Sequence, residues 1–290
     1  MTFFSVIIPT YNRAHFLDDT ILSVLNQKFV DFELLIVDDG STDNTQKVVE
    51  RYIQQDDRVN YIYQKNQERA VARNNGIQQA KGKYAVFLDS DDQFLPNHLE
   101  VLHHHISQND TICFFATKYY IQNGDRTWYD PDLKSKKIAL YDYKTFLKAN
   151  FLCCHLCVSL GNDELVLFNE DKELTRCEDW YFLIQNTSQK PLLLIDEVSV
   201  CMIDHPERSM NKDHQTTINS RLRLTKLLKE NVLTSASEIR YMEGYSYYFC
   251  AVFARLDRKS RQAFFYLVQS IRRLGFTKKI ILLFLKIIFK

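Results

Sequence analysis

Asp89-Ser90-Asp91-Asp92 places three carboxylates within four residues, directly after the apolar run Ala85-Val86-Phe87-Leu88. Two further apolar runs end the same way. Leu34-Leu35-Ile36-Val37 delivers Asp38-Asp39-Gly40-Ser41-Thr42-Asp43, and Ser5-Val6-Ile7-Ile8 delivers Pro9-Thr10-Tyr11-Asn12-Arg13. Carboxylates gathered at one place repel unless a cation sits among them. The pattern therefore calls for a divalent metal and an anionic ligand such as a nucleotide diphosphate. Alternate residues at a strand end point the same way, so Asp89 and Asp91 are expected to face one pocket. A hard ion, Mg2+ or Mn2+, would there bridge both to phosphate oxygens.

The elements that must carry these clusters follow from the runs themselves. Short apolar stretches without polar alternation are strands buried on both faces, the signature of a parallel sheet. Helical stretches at 14–27, 44–55 and 70–80 separate them, with another strand at 59–63. All the clusters should then lie on the carboxyl edge of the sheet, where open α/β sheets bind ligands. Gly82 is expected to end the third helix, and Pro96 to open a fourth from its first turn. Beyond, strands are expected at 111–120, 155–160, 192–195 and 198–203. Residues 126–141 read as a loop or short hairpin, and helices as 143–150 and 177–188. After 212 the periodicity turns helical. This divides the chain into a sheet domain (1–212) and a helical region with a basic tail (213–290).

In order and spacing, Pro9-Thr10-Tyr11-Asn12-Arg13, Val37-Asp38-Asp39-Gly40-Ser41, Ala72-Arg73-Asn74-Asn75-Gly76, Phe87-Leu88-Asp89-Ser90-Asp91-Asp92 and Glu178-Asp179-Trp180 resemble the family 2 glycosyltransferases. The resemblance implies the GT-A fold, a Rossmann-like and mostly parallel central sheet flanked by helices. It also implies an inverting, metal-dependent transfer from a nucleotide-sugar, with a UDP-sugar favoured. Pro9, Thr10, Tyr11, Arg13, Arg73 and Ser90 would line the nucleotide-sugar, and Asp39 would accept a hydrogen bond from uracil. Asp91 would be the direct metal ligand, joined by His205, with Asp89 contacting the ribose of the nucleotide-sugar or the metal. Asp179 would be the base that deprotonates a glycan or lipid-linked acceptor. Many members have a Gly five residues before the motif arginine; Glu68 occupies that place here. A nucleotidyltransferase and a non-catalytic sugar-nucleotide-binding protein are the alternatives.

Composition is that of an ordinary globular protein, with 46% hydrophobic and 25% charged residues and a net charge of +1. Charge is unevenly spread: from Arg255 to Lys290 there are ten Lys or Arg and a single acid, Asp257. The tail 278–290 mixes these lysines with apolar residues on opposite helical faces. It reads as an interfacial helix on an anionic membrane, with packing against the sheet domain as the alternative and nucleic-acid binding behind both. No run is long enough to span a bilayer, and no basic, apolar leader opens the chain. Seven cysteines at irregular spacing read as reduced thiols, giving a cytoplasmic protein peripheral to the inner face of the membrane. The consecutive His103-His104-His105 cannot chelate together from one helix. Cys153, His155 and Cys157 lack the partners for a zinc site.

Overall fold

The computed structural model describes residues 2–208 and 213–288. The boundary expected near 212, and Phe289 and Lys290 of the expected tail, lie outside the described residues. The first third alternates β1 (Phe4–Thr10), α1 (Ala14–Leu25), β2 (Phe32–Asp38), α2 (Thr45–Ile53), β3 (Val59–Tyr63), α3 (Arg69–Gln79) and β4 (Tyr84–Phe87). Every residue of β1 and β2 is buried, as expected of strands covered on both faces. Strands β3, β2, β1 and β4 are neighbours in that order, all parallel.

Next come β5 (Gln93–Phe94), α4 (His98–Ser107), β6 (Phe114–Asn123), β7 (Arg126–Trp128), α5 (Pro131–Lys134), β8 (Ala139–Tyr141), α6 (Tyr143–Phe146), β9 (Leu156–Ser159), α7 (Glu178–Thr187) and β10 (Leu192–Ile203). Here the sheet becomes mixed. β9 runs antiparallel between β4 and β6, which restores β6 and its parallel neighbour β10 to the direction of β4. The carboxyl ends of β1, β2, β4, β6 and β10 thus share one edge.

Several expectations need correcting. Residues 192–203 form one strand with irregular pairing near 194–200, not two. Pro96 lies before the N-cap Asn97 of α4, outside its first turn. Gly82 is not a helix cap, because α3 has already passed into extended chain at Ala80. Its role is close approach: a Cβ there would meet the Ser5 backbone nitrogen at 2.6 Å. Gly76 has the same logic. A Cβ would come within 2.5 Å of Ile7 Cγ2, so the glycine lets α3 settle onto β1.

The C-terminal helices are α8 (His214–Asn231), α9 (Ala236–Leu256), α10 (Ser260–Leu274) and α11 (Lys278–Ile288). Leu224, Leu227 and Leu228 of α8 and Met242 of α9 belong to the same apolar core as the sheet. A second, smaller core gathers Ile218, Cys250, Leu267, Ile280 and Leu283. α11 packs there through Ile280 and Leu283, while Ile281, Leu282 and Leu285 on its other side are exposed. Phe276, just before α11, is 72% exposed. No helix among the described residues is long and apolar enough to cross a membrane.

Candidate active site

At the carboxyl edge lies an open cleft of about 560 Å³, lined by Pro9, Thr10, Tyr11, Arg13, Asp39, Arg73, Asp89, Ser90, Asp91 and Asp179 among others. His205 joins them through Asp91, its Nε2 lying 2.9 Å from Asp91 Oδ2. Residues separated by as many as 196 positions are therefore gathered around a single cavity.

Asp39 sits where β2 ends and is held by three donors. Its Oδ1 accepts from Gln64 Nε2 (2.7 Å) and the Gln67 amide (2.8 Å), and its Oδ2 accepts from the Glu68 amide (2.9 Å). Burial raises its carboxyl pKa despite these bonds. Asp38 has a purely structural task, accepting from the Ser41 amide and the Tyr61 hydroxyl. Asn12 belongs to the loop before α1, whose N-cap is Arg13. It has φ +51, and its side chain accepts from the Thr42 amide, so that the β1 and β2 loops are tied together. Thr10 Oγ1 is buried without a protein partner, and Tyr11 stands at the mouth, 48% exposed. Arg13 pairs with Glu207 at 2.9 Å.

Glu68 has φ +78 and ψ 161. Only glycine adopts that region without strain, at a cost of about 1–3 kcal/mol for other residues. Its carboxylate accepts from Thr175 Oγ1 at 2.7 Å, across from α3 to the chain preceding α7.

The acidic cluster lies in a turn after β4, closed by Asp92 N to Asp89 O, rather than on extended strand. A turn, not strand alternation, is what aims its side chains. Carboxylate oxygens of Asp89, Asp91 and Asp92 lie within 4.8 Å of one another, close enough for one cation to bridge. Asp92 is fully buried and committed elsewhere. It meets His155 Nε2 at 3.0 Å, Arg208 Nη1 at 2.9 Å and the Ile203 amide at 3.0 Å. Burial raises the Asp91 carboxyl, as do Asp92 and Asp89 beside it, against Arg208 and His205. Burial pushes Asp89 up most strongly, but Arg73, His155, Arg69 and Arg208 together outweigh it and hold the carboxyl well below the usual range. A crowded pair of hard oxygen donors with an imidazole alongside suits Mg2+ or Mn2+.

Arg73 is buried, 1% exposed, and does not stand free in the cleft. Its Nη2 donates to Asp89 Oδ1 and its Nη1 to Glu178 Oε1, both at 2.8 Å. It therefore joins the β4 turn to the start of α7. Asp179 follows Glu178 there. Burial, then Glu178, lift its carboxyl to about 7, with Asp89 adding and Arg73 opposing. Such a value suits a general base working near neutral pH. Trp180 is a core residue. It is buried, donates Nε1 to Phe146 O and has the Arg221 guanidinium 3.6 Å from its ring centroid.

The discounted tracts have settled roles. His103 packs on Phe3 and Phe29, His104 meets Gln108, and His105 faces Glu197, so the three diverge. His155 belongs to Asp92, and the seven cysteines are free thiols. Sequence reasoning missed His155, Arg208 and Asn150. No local pattern marks them, because each acts across more than 25 residues of chain.

A family model described as Glycosyl transferase family 2 matches residues 5–166. The putative teichuronic acid biosynthesis glycosyltransferase TuaG of Bacillus subtilis is 36% identical over 139 residues, 48% of this chain and 55% of that one. The GalNAc(5)-diNAcBac-PP-undecaprenol beta-1,3-glucosyltransferase of Campylobacter jejuni is 41% identical over 100 residues, 34% of this chain and 32% of that one. The chain thus spans about half the length of the first relative and about a third of the second. Among solved structures, S. aureus TarS 1–349 in complex with UDP-GlcNAc superposes with a TM-score of 0.72 at 19% identity, covering 95% of this chain and 80% of that one. At that identity the likeness speaks for the fold.

Proposed function

Since the chain belongs to glycosyl transferase family 2, we propose that it moves a sugar from a nucleotide donor, a UDP-sugar, to an acceptor hydroxyl in bacterial polysaccharide, lipopolysaccharide or glycoconjugate synthesis. The observation that carries this reading is that Asp39, Asp91 and Asp179 line one cleft. Asp39 Oδ2 has taken only one donor, which leaves it able to accept a ring N–H such as that of uracil. Thr10 Oγ1, buried and unpartnered, gives the nucleotide a second polar contact. UDP-GlcNAc in the TarS neighbour supports the same choice of base.

Asp89, Asp91 and His205 would hold Mg2+ or Mn2+, which when bound neutralises charge on the departing diphosphate. Asp179 takes the proton from the acceptor hydroxyl as its oxygen bonds to the anomeric carbon. The bond from that carbon to the diphosphate oxygen breaks in the same step. A single displacement inverts the centre. Residues 1–212 would form the catalytic domain and 213–290 its helical companion.

The exposed apolar side of α11, flanked by Lys278, Lys279 and Lys286, would rest on the inner face of the cytoplasmic membrane, where a lipid-linked acceptor lies. The undecaprenol-linked acceptor in the Campylobacter relative's name accords with that placement. Flotation with anionic vesicles checks it: a chain lacking residues 276–290 should stay behind, and equal flotation removes the tail from this role. For the reaction itself, UDP-, GDP- and dTDP-sugars are incubated with Mn2+ and scored for slow hydrolysis. UDP release is expected. Pyrophosphate release would instead point to a nucleotidyltransferase, and metal-dependent binding with no turnover across acceptors to a non-catalytic binder.

A further inference from the structure

The chain between α6 and β9 is tied at every second residue to the helix that carries Asp179 or to what packs on it. Phe146 O accepts from Trp180 Nε1 at 2.8 Å. Lys148 O accepts from Nη2 of Arg221 at 3.0 Å, the same guanidinium that covers the Trp180 ring. Asn150 then reaches the base itself, its Nδ2 standing 3.0 Å from Asp179 Oδ2 and 3.1 Å from Cys153 O. The Leu152 amide donates to Asn150 Oδ1 at 3.1 Å. That bond decides which end of the amide faces Asp179, because a flipped side chain would set N–H against N–H and C=O against carboxylate.

Resting on the glycosyltransferase reading above, we propose that Asn150 is a positioning residue for the reaction: its amide N–H fixes the Asp179 carboxylate and favours its charged, proton-accepting form. A hydrogen bond donated to a carboxylate stabilises the ion over the acid. Other charged or titratable groups around Asp179 are Glu178 and Cys177 on its own helix, Arg73 from α3, Asp89 beyond β4, and Cys153 and Cys154 from the connector. Arg73 alone among them is a cation, and it is already engaged by Asp89 and Glu178. The Trp180 amide, 2.7 Å from Asp179 Oδ1, also favours the ion, and the Asn150 amide is the side-chain donor on the other oxygen. Cys153, at φ +51, shapes the turn that brings the amide there.

The test is the pH dependence of kcat/KM for Asn150→Ala, with Mn2+ and the donor held saturating. The acidic limb is expected to move up by about one pH unit, with rates near wild type recovered above it. A uniform loss at every pH, with the limb unmoved, would overturn the proposal and leave Asn150 as loop scaffolding. Asn150→Asp preserves size and should move the limb further in the same direction. An unmoved limb there also counts against the assignment. Carbon NMR titration of the Asp179 carboxyl in wild type and Asn150→Ala reads the same quantity without turnover. A failure of the glycosyltransferase reading therefore leaves this result standing by itself.

Discussion

The two halves of the cleft are built in opposite ways. On the nucleotide side, Asp39 is held by Gln64, Gln67 and Glu68, all from the next strand and its loop. On the proposed acceptor side, Asp179 is held by the adjacent Trp180 amide and by Asn150, and the arginine beside it comes from residue 73. The nucleotide half takes its shape from successive strand-loop-helix units. The acceptor half adds a longer reach, since Arg73 meets Glu178 across 105 residues of chain. The proposed base is thus fixed by pieces that can be altered one at a time, while the proposed nucleotide contact is built into the loop after β3.

Breaking the nucleotide half should lower turnover and the metal response of donor binding together. Asp91→Asn is expected to lower turnover on the order of 10³-fold, as loss of a bridging ligand costs several kcal/mol of charge stabilisation. Calorimetry should also show donor affinity that no longer responds to Mn2+. An undiminished metal response would remove Asp91 from this role.

Asp179→Asn sharpens the division. Turnover should fall about 10²–10⁴-fold while donor affinity stays put; an equal loss of donor binding would merge the two halves. Stability should change as well. Because the folded carboxyl titrates near 7, above its unfolded value, the folded state binds this proton more tightly. Wild-type stability from this group is therefore present at low pH and lost as pH rises toward 7. Asparagine escapes that loss, so the variant should gain roughly 2 kcal/mol relative to wild type between pH 5 and pH 8. Urea midpoints at the two pH values measure it.

The smallest effect tests the seam between the halves. Glu68→Gly removes the backbone strain, worth about 1–3 kcal/mol, and also the bond to Thr175, worth about 1 kcal/mol. A modest net gain in thermal midpoint is expected, and a clear loss would mean that the Thr175 link matters more than the strain.

What could be read from the residues divides along the same line. The parallel strands β1 to β4 and the sheet edge at their ends follow from apolar runs ending in polar clusters, while the roles of Thr10, Tyr11, Arg13 and Asp39 come from the resemblance. The continuous β10 and the antiparallel insertion of β9 do not, because pairing there depends on which distant strand is adjacent. His155 and Arg208 meet Asp92 across 63 and 116 residues of chain, and no periodicity encodes that. Glu178-Asp179 was legible only through resemblance. Two acids opening a helix are ordinary by themselves, since they complement its dipole.

Arg73 has one more consequence. A buried guanidinium shared between Asp89 and Glu178 couples α3, the β4 turn and α7. Leaving either carboxylate alone in the interior would be costly, so these three elements should open as one cooperative unit. Their amide hydrogens should then exchange with solvent at a common rate, slower than those of α11.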